Sequence, residues 1–168
     1  MSNDNTQYLV AALGDAVIVS VRGRAVYTTC REFGEFLEKI GGSPDVRKLI
    51  LDMKLCEGVD STVLGLIAGA AGDFRGKGGE VVMQRCGPRI AEVVANLGLG
   101  SLLTLLSGDA VDAGTEKLLA EGATSCAAAA PATNRTILQA HETLMAADPD
   151  NVPRFKQVVD FMRADLGM

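Results

Sequence analysis

A chain of 168 residues and 17.5 kDa is long enough for one domain with a sizeable core plus an extension, and short for two full domains. Hydrophobic residues make up 48% of it and charged residues 22%, which excludes wholesale disorder. With no Trp, 5 Phe, 2 Tyr and a net charge of −5, the chain lacks the aromatic platforms and positive charge that nucleic acid requires, so no direct nucleic-acid partner is expected.

The N-terminal MSNDNTQY has no basic region followed by an apolar stretch, and no run approaches the ~18 apolar residues of a membrane helix. A cytoplasmic location and no membrane insertion are the expectation. Two apolar runs follow, Tyr8 to Leu13 and Val17 to Val21, and Gly14-Asp15 between them predicts a hairpin. From Thr28 the period changes to that of a helix, with Phe33, Phe36, Leu37 and Ile40 on one face and Gly41-Gly42 as its stop. Leu49-Ile50-Leu51-Asp52-Met53 reads as a strand buried in the centre of a sheet. After a loop, Asp60-Ser61 opens a second helix that runs to about Phe74 and ends near Lys77-Gly78-Gly79.

Val81-Val82-Met83 predicts the next strand. Pro88 starts a helix with Ile90, Val93, Val94 and Leu97 as its apolar stripe, Gly98 closes it, and a last strand covers Leu102 to Leu106. This strand and helix alternation implies right-handed crossovers in an α/β domain ending near Asp112. Residues 113–132 read as a linker with a short helix over Thr115 to Ala120 and a run of small residues at Ala127 to Pro131. Residues 133–168 predict a helical hairpin, its first helix carrying Ile137, Leu138, His141, Leu144 and Met145. Its second carries Phe155, Val158, Val159 and Met162, with Asn151 suited to cap it. An isolated hairpin cannot bury that second stripe, so it is expected to contact either the domain itself or a second copy, which would make a homodimer.

The inventory for catalysis is thin. Cys30, Cys56, Cys86 and Cys126 form no CxxC pair, which argues against a zinc site and for reduced, mostly buried thiols. His141 is the one histidine and reads as an interhelical packing residue. Gly76-Lys77-Gly78-Gly79 and Gly98-Leu99-Gly100-Ser101 lack the order of a phosphate-binding loop or a dinucleotide site and read as turns. No enzyme activity, cofactor or metal is expected. The second helix carries Gly65, Gly69, Gly72 and Gly76 as a nearly bare stripe, which implies close approach either of the helix to its sheet or of a partner's backbone to the helix.

The most informative segment is Leu49-Ile50-Leu51-Asp52 followed by Gly58-Val59-Asp60-Ser61-Thr62-Val63-Leu64-Gly65. A Ser at a helix start is exposed, caps the helix through its oxygen, and sets any added phosphate beside free N–H groups at the positive end of the helix dipole. Phosphorylation there adds about −1.5 to −2 charges beside Asp60 and would spoil the fit of a partner surface. The residues alone leave open whether Ser61 is such a switch or only a cap.

The segment resembles the signature of the STAS domains of the anti-sigma factor antagonist family, from about Ala16 to Leu106, including Gly23 after the second strand and Gly78-Gly79-Glu80-Val81 before a late one. Val63 stands where many relatives have Gly, and Gly23-Arg24-Ala25-Val26 where many have an acidic residue. The resemblance implies a mixed sheet flanked by helices over residues 1–112, with the hairpin as an extension. It implies Ser61 as phosphoacceptor and a partner-binding surface drawn from Gly23, Arg24, Asp60, Ser61, Thr62 and Gly65. The expected partner is an anti-sigma factor serine kinase, bound by the unphosphorylated protein and released on phosphorylation, so that the role is transcription regulation by protein–protein interaction. The alternative keeps the fold without the switch, as a constitutive subunit or scaffold of a larger assembly such as a lipid transporter or a stressosome-like particle.

Overall fold

The computed structural model describes residues 6–120, 122–126 and 130–168. The apolar runs that open the chain form β1 (Gln7–Leu13) and β2 (Ala16–Ala25), paired antiparallel across a turn in which Gly14 takes φ +62°. Helix α1 (Arg31–Gly41) buries Phe33, Leu37 and Ile40, and β3 (Lys48–Asp52) follows parallel to β2. Leu49, Ile50 and Leu51 are all fully buried, as a central strand requires. The stretch after β3, expected to be a loop, holds a further strand, β4 (Cys56–Val59), which pairs with the far end of β2. With one Gly and no run of branched side chains its sequence carries little strand signal, and its pairing with β2 is irregular, one step from Gly23 to Arg24 matching two from Cys56 to Gly58, beside a Gly23 whose φ is +76°.

Helix α2 (Ser61–Gly76), β5 (Glu80–Gln84), α3 (Pro88–Asn96), a 3₁₀ turn at Leu99–Ser101 and the short β6 (Thr104–Leu105) complete the alternation. Beyond them α4 (Thr115–Ala120) and β7 (Thr124–Cys126) follow, then α5 (Asn134–Ala147) and α6 (Asn151–Asp165). β7 pairs antiparallel with β1, within the stretch read from sequence as a linker. Ala127, Ala128 and Ala129 of the small-residue run lie outside the described residues. Among the described residues the sheet order is β6-β5-β3-β2-β1-β7 with β4 added to β2, parallel from β2 to β6 and antiparallel on the β1 side.

One face of the sheet carries the main core, in which Val19, Leu49, Leu51, Val81 and Met83 meet Phe33, Leu37, Leu64, Ile67 and Phe74. The opposite face is covered by α4, whose Leu118 packs on Ile18, Ile50 and Val82. Helix α5 lies on the outer side of α2, and α6 lies on α5, so the hairpin adds a further layer to the domain of its own chain. The anchor is Asn151: fully buried, it donates from its amide to Leu97 O at 2.9 Å and to Leu144 O at 2.8 Å. The N-cap position belongs to Asp150, one residue earlier than the sequence suggested, because the Asn151 side chain is used to tie three elements together. Along α6, Val159 is buried and Phe155 and Met162 are half-buried, but Val158 and Phe161 remain 39% and 70% exposed, so the expected stripe is covered along only one edge.

Cys30 is buried and Cys56 and Cys86 are half-buried, all three as free thiols. Burial pushes the Cys30 and Cys86 thiols each up to about 12 and also raises Cys56. At pH 8 only about one such group in ten thousand is a thiolate. Native protein at pH 8 is therefore expected to react with a disulfide reagent at the fully buried Cys30 only as fast as it opens, with a large acceleration in denaturant. Prompt stoichiometric labelling of Cys30 would contradict its burial.

Candidate functional site

Strand β4 delivers the chain to Asp60, whose extended backbone (φ −113°, ψ 176°) makes it the N-cap of α2. Its Oδ1 accepts the Val63 N–H at 3.0 Å and its Oδ2 accepts the Tyr27 N–H at 2.8 Å. One carboxylate thus closes the first turn of α2 and fastens the loop between β2 and α1 to it. The expectation that Ser61 caps the helix is corrected: Ser61 is the first helical residue, and its hydroxyl is free for another partner. Asp60→Ala is accordingly expected to lower stability by about 0.5–2 kcal/mol, read by urea unfolding, whereas Ser61→Ala removes no cap. An Asp60→Ala variant as stable as wild type would contradict this assignment.

The partner that Ser61 finds is His141. Its Oγ lies 2.8 Å from His141 Nε2, and His141 Nδ1 lies 2.7 Å from Ile137 O. A carbonyl only accepts, so Nδ1 carries a proton and donates to Ile137 O; in the neutral ring Nε2 then accepts the Ser61 O–H. The imidazole is 5% exposed, and its ring meets Phe155 edge-on at 5.2 Å between centroids. Ser61 is consequently half-buried rather than exposed. The contact with Phe155 is the interhelical packing expected of His141, whereas 80 positions separate it from Ser61 and nothing local in the sequence indicates that meeting.

One turn further along α2, Gly65 shows why the helices can come so close. A Cβ at this position would stand 2.3 Å from Ala140 O and 2.6 Å from its carbonyl carbon, so only glycine admits α5 at this distance. The stripe is explained at this position by a second helix and not by the sheet. At Gly69, Gly72 and Gly76 an added Cβ would meet nothing within 4 Å.

The remaining partner-surface candidates spread over two environments. Gly23 and Arg24 lie where β2 meets β4, with Gly23 N–H donating to Leu55 O at 3.0 Å. The Arg24 carbonyl accepts from Thr6 Oγ1 at 2.7 Å, while its side chain is exposed. Thr62 is buried, and Gly65 lies beneath α5. What α5 leaves open is a groove of about 720 Å³ between α1, α2 and α5, lined by Arg31, Gly34, Leu66, Gly69 and Asp73 among others. Asp52, at the C-terminal end of β3, is held by Arg85 through a two-pronged ion pair. No helix among the described residues is long and apolar enough to cross a membrane.

Among curated proteins, none matches the chain in sequence. Solved structures match its fold. The anti-sigma factor antagonist SpoIIAA in its unphosphorylated form superposes with a TM-score of 0.54 at 14% identity, over 68% of this chain and 94% of that one. The Bacillus cell fate determinant SpoIIAA in its phosphorylated form gives 0.51 at 16% identity, over 60% and 91%. A candidate anti-sigma factor antagonist from Thermotoga maritima gives 0.53 at 16% identity, over 66% and 92%. The family model of the STAS domain matches residues 8–112, from the start of β1 to the loop before α4. With well over half of its length matched, and with the strand, loop and Asp-Ser helix start in the order described, the chain belongs to the STAS domain family.

Proposed function

We propose that this chain is an anti-sigma factor antagonist-like signalling protein that binds a serine kinase of the anti-sigma type in the cytoplasm, acts by binding and not by catalysis, and is switched off by phosphorylation of Ser61. The observation that carries this reading is the place of Ser61 in the fold. It opens α2 immediately after a cap that Asp60 supplies, so its hydroxyl has no structural duty at the helix start. The similar folds solved as an antagonist, in unphosphorylated and phosphorylated forms, support it. The open groove beside α1 and α2 offers a surface for a partner helix.

Phosphate at Ser61 would add charge beside the Asp60 carboxylate and oppose any partner pressed on this helix end. Ser61→Ala is therefore expected to bind the kinase like wild type and to escape modification. Ser61→Asp should bind at least about tenfold more weakly. Titrations in which wild type, Ala and Asp variants coincide would take Ser61 out of the interface.

The Ser61–His141 bond favours a second reading, in which the domain is a constitutive subunit or scaffold, since the hydroxyl is already occupied by its own chain. A protein that stays assembled with the same partners in every growth state, with Ser61 unmodified, would fit this reading instead.

A further inference from the structure

In the side-chain conformation that Ser61 adopts, the space in line with its hydroxyl is filled by the C-terminal hairpin. Ser61 Oγ and His141 Nε2 are at hydrogen-bond distance, which leaves no room between them for a phosphorus atom and its oxygens. The imidazole is confined as well. Its Nδ1 is tied to Ile137 O, its ring rests against Phe155, and it is almost wholly buried. Helix α5 has no slack toward α2, because at Gly65 the two helices are separated by less than the room for a methyl group. The one direction left to α5 is outward.

We infer that docking of the α5–α6 hairpin and phosphorylation of Ser61 exclude each other, so that the hairpin guards Ser61 and a phosphate placed there ejects it. This rests on the reading of Ser61 as a phosphoacceptor. The coupling is reciprocal by thermodynamic necessity: whatever docking costs the phosphate, the phosphate costs docking. In the docked state the hydroxyl is engaged by His141 and Ser61 is half-buried, so a kinase reaches it when the hairpin opens. Once modified, the group would bring its negative charge beside the Asp60 carboxylate, which repels it, and its bulk into the space that the His141 ring holds. Release would also uncover Gly65 of α2, so the modified protein shows a different surface from the unmodified one.

The test needs no kinase. Full-length protein with phosphoserine installed at position 61 during translation is compared with unmodified protein by amide hydrogen exchange. The α5 and α6 amides are expected to exchange roughly tenfold faster or more in the phosphoserine protein, a coupling of the usual size, while β3 stays protected. Gly65→Ala in the unmodified protein serves as the reference for a lifted hairpin and should show the same pattern. Unchanged or increased protection of α5 in the phosphoserine protein overturns the inference, the increase because it would mean that His141 clamps the phosphate. Absence of phosphate on Ser61 in cells would instead remove the functional reading and leave the exclusion measured here intact.

Discussion

Arg85→Ala is expected to destabilise the protein by about 3–5 kcal/mol, the range for breaking a buried ion pair from one side. For a chain of this size that is a fall in melting temperature of roughly 6–20 °C. Arg85 follows the last residue of β5 in a left-handed conformation, φ 55°, and sends its guanidinium Nε and Nη2 onto the Asp52 carboxylate at the end of β3. The Asp52 side chain is 5% exposed and that of Arg85 22%, so the two partners are not equivalent. Without Arg85 a carboxylate is left in the sheet with its charge uncompensated. Without Asp52 the long arginine reaches water, and Asp52→Ala should cost less than Arg85→Ala. Arg85→Gly also loses the pair but relieves the left-handed backbone, and should recover about 1 kcal/mol relative to Arg85→Ala. If Asp52→Ala proves the more damaging, the pair is not held as described.

Substituting alanine along the glycine stripe of α2 is expected to change sign from one position to the next. Glycine inside a helix costs about 0.5–1 kcal/mol relative to alanine, so Gly72→Ala and Gly76→Ala, with open space around the new methyl, should each stabilise by about that amount. Gly69→Ala should do the same in the free protein, with its methyl pointing to the floor of the groove between α1 and α5. Gly65→Ala should destabilise by about 1–3 kcal/mol or more, because its methyl meets the backbone of Ala140 and backbone cannot turn aside as a side chain can. Urea unfolding of the four variants decides the matter. A stabilised Gly65→Ala would mean that α5 does not sit where it is described.

Much of the fold is legible in the sequence because each element announces itself locally. The alternation around Gly14-Asp15, the helical spacing of Phe33, Leu37 and Ile40, the continuous run at Leu49 to Leu51 and Pro88 at a helix start all match elements of the structure. β4 and β7 were not legible, since four and three residues hold their strand conformation through pairing with β2 and β1 rather than by their own preference. The site was half legible. Asp60-Ser61 marks the helix start, but which of the two caps depends on a one-residue boundary that the Tyr27 N–H settles by drawing the Asp60 carboxylate.

The meeting of Ser61 with His141 is a tertiary fact, yet one signal pointed toward it. From Val63 to Gly72 the second helix has no charged residue on any side. A helix apolar all round is buried all round, and the sheet can cover only one of its faces. The other face required a cover, which α5 supplies within one chain; the stripe of Phe155, Val158, Val159 and Met162 required a surface, and it is covered along one edge only, with Val158 left exposed.

The central claim, that Ser61 is the switch of this protein, is tested most directly by mapping phosphate on the protein isolated from its own cells in several growth states. The account predicts a single phosphate on Ser61, in a fraction of the molecules that changes with growth state. Ser61 unmodified in every state, or phosphate found only on other residues, would contradict it.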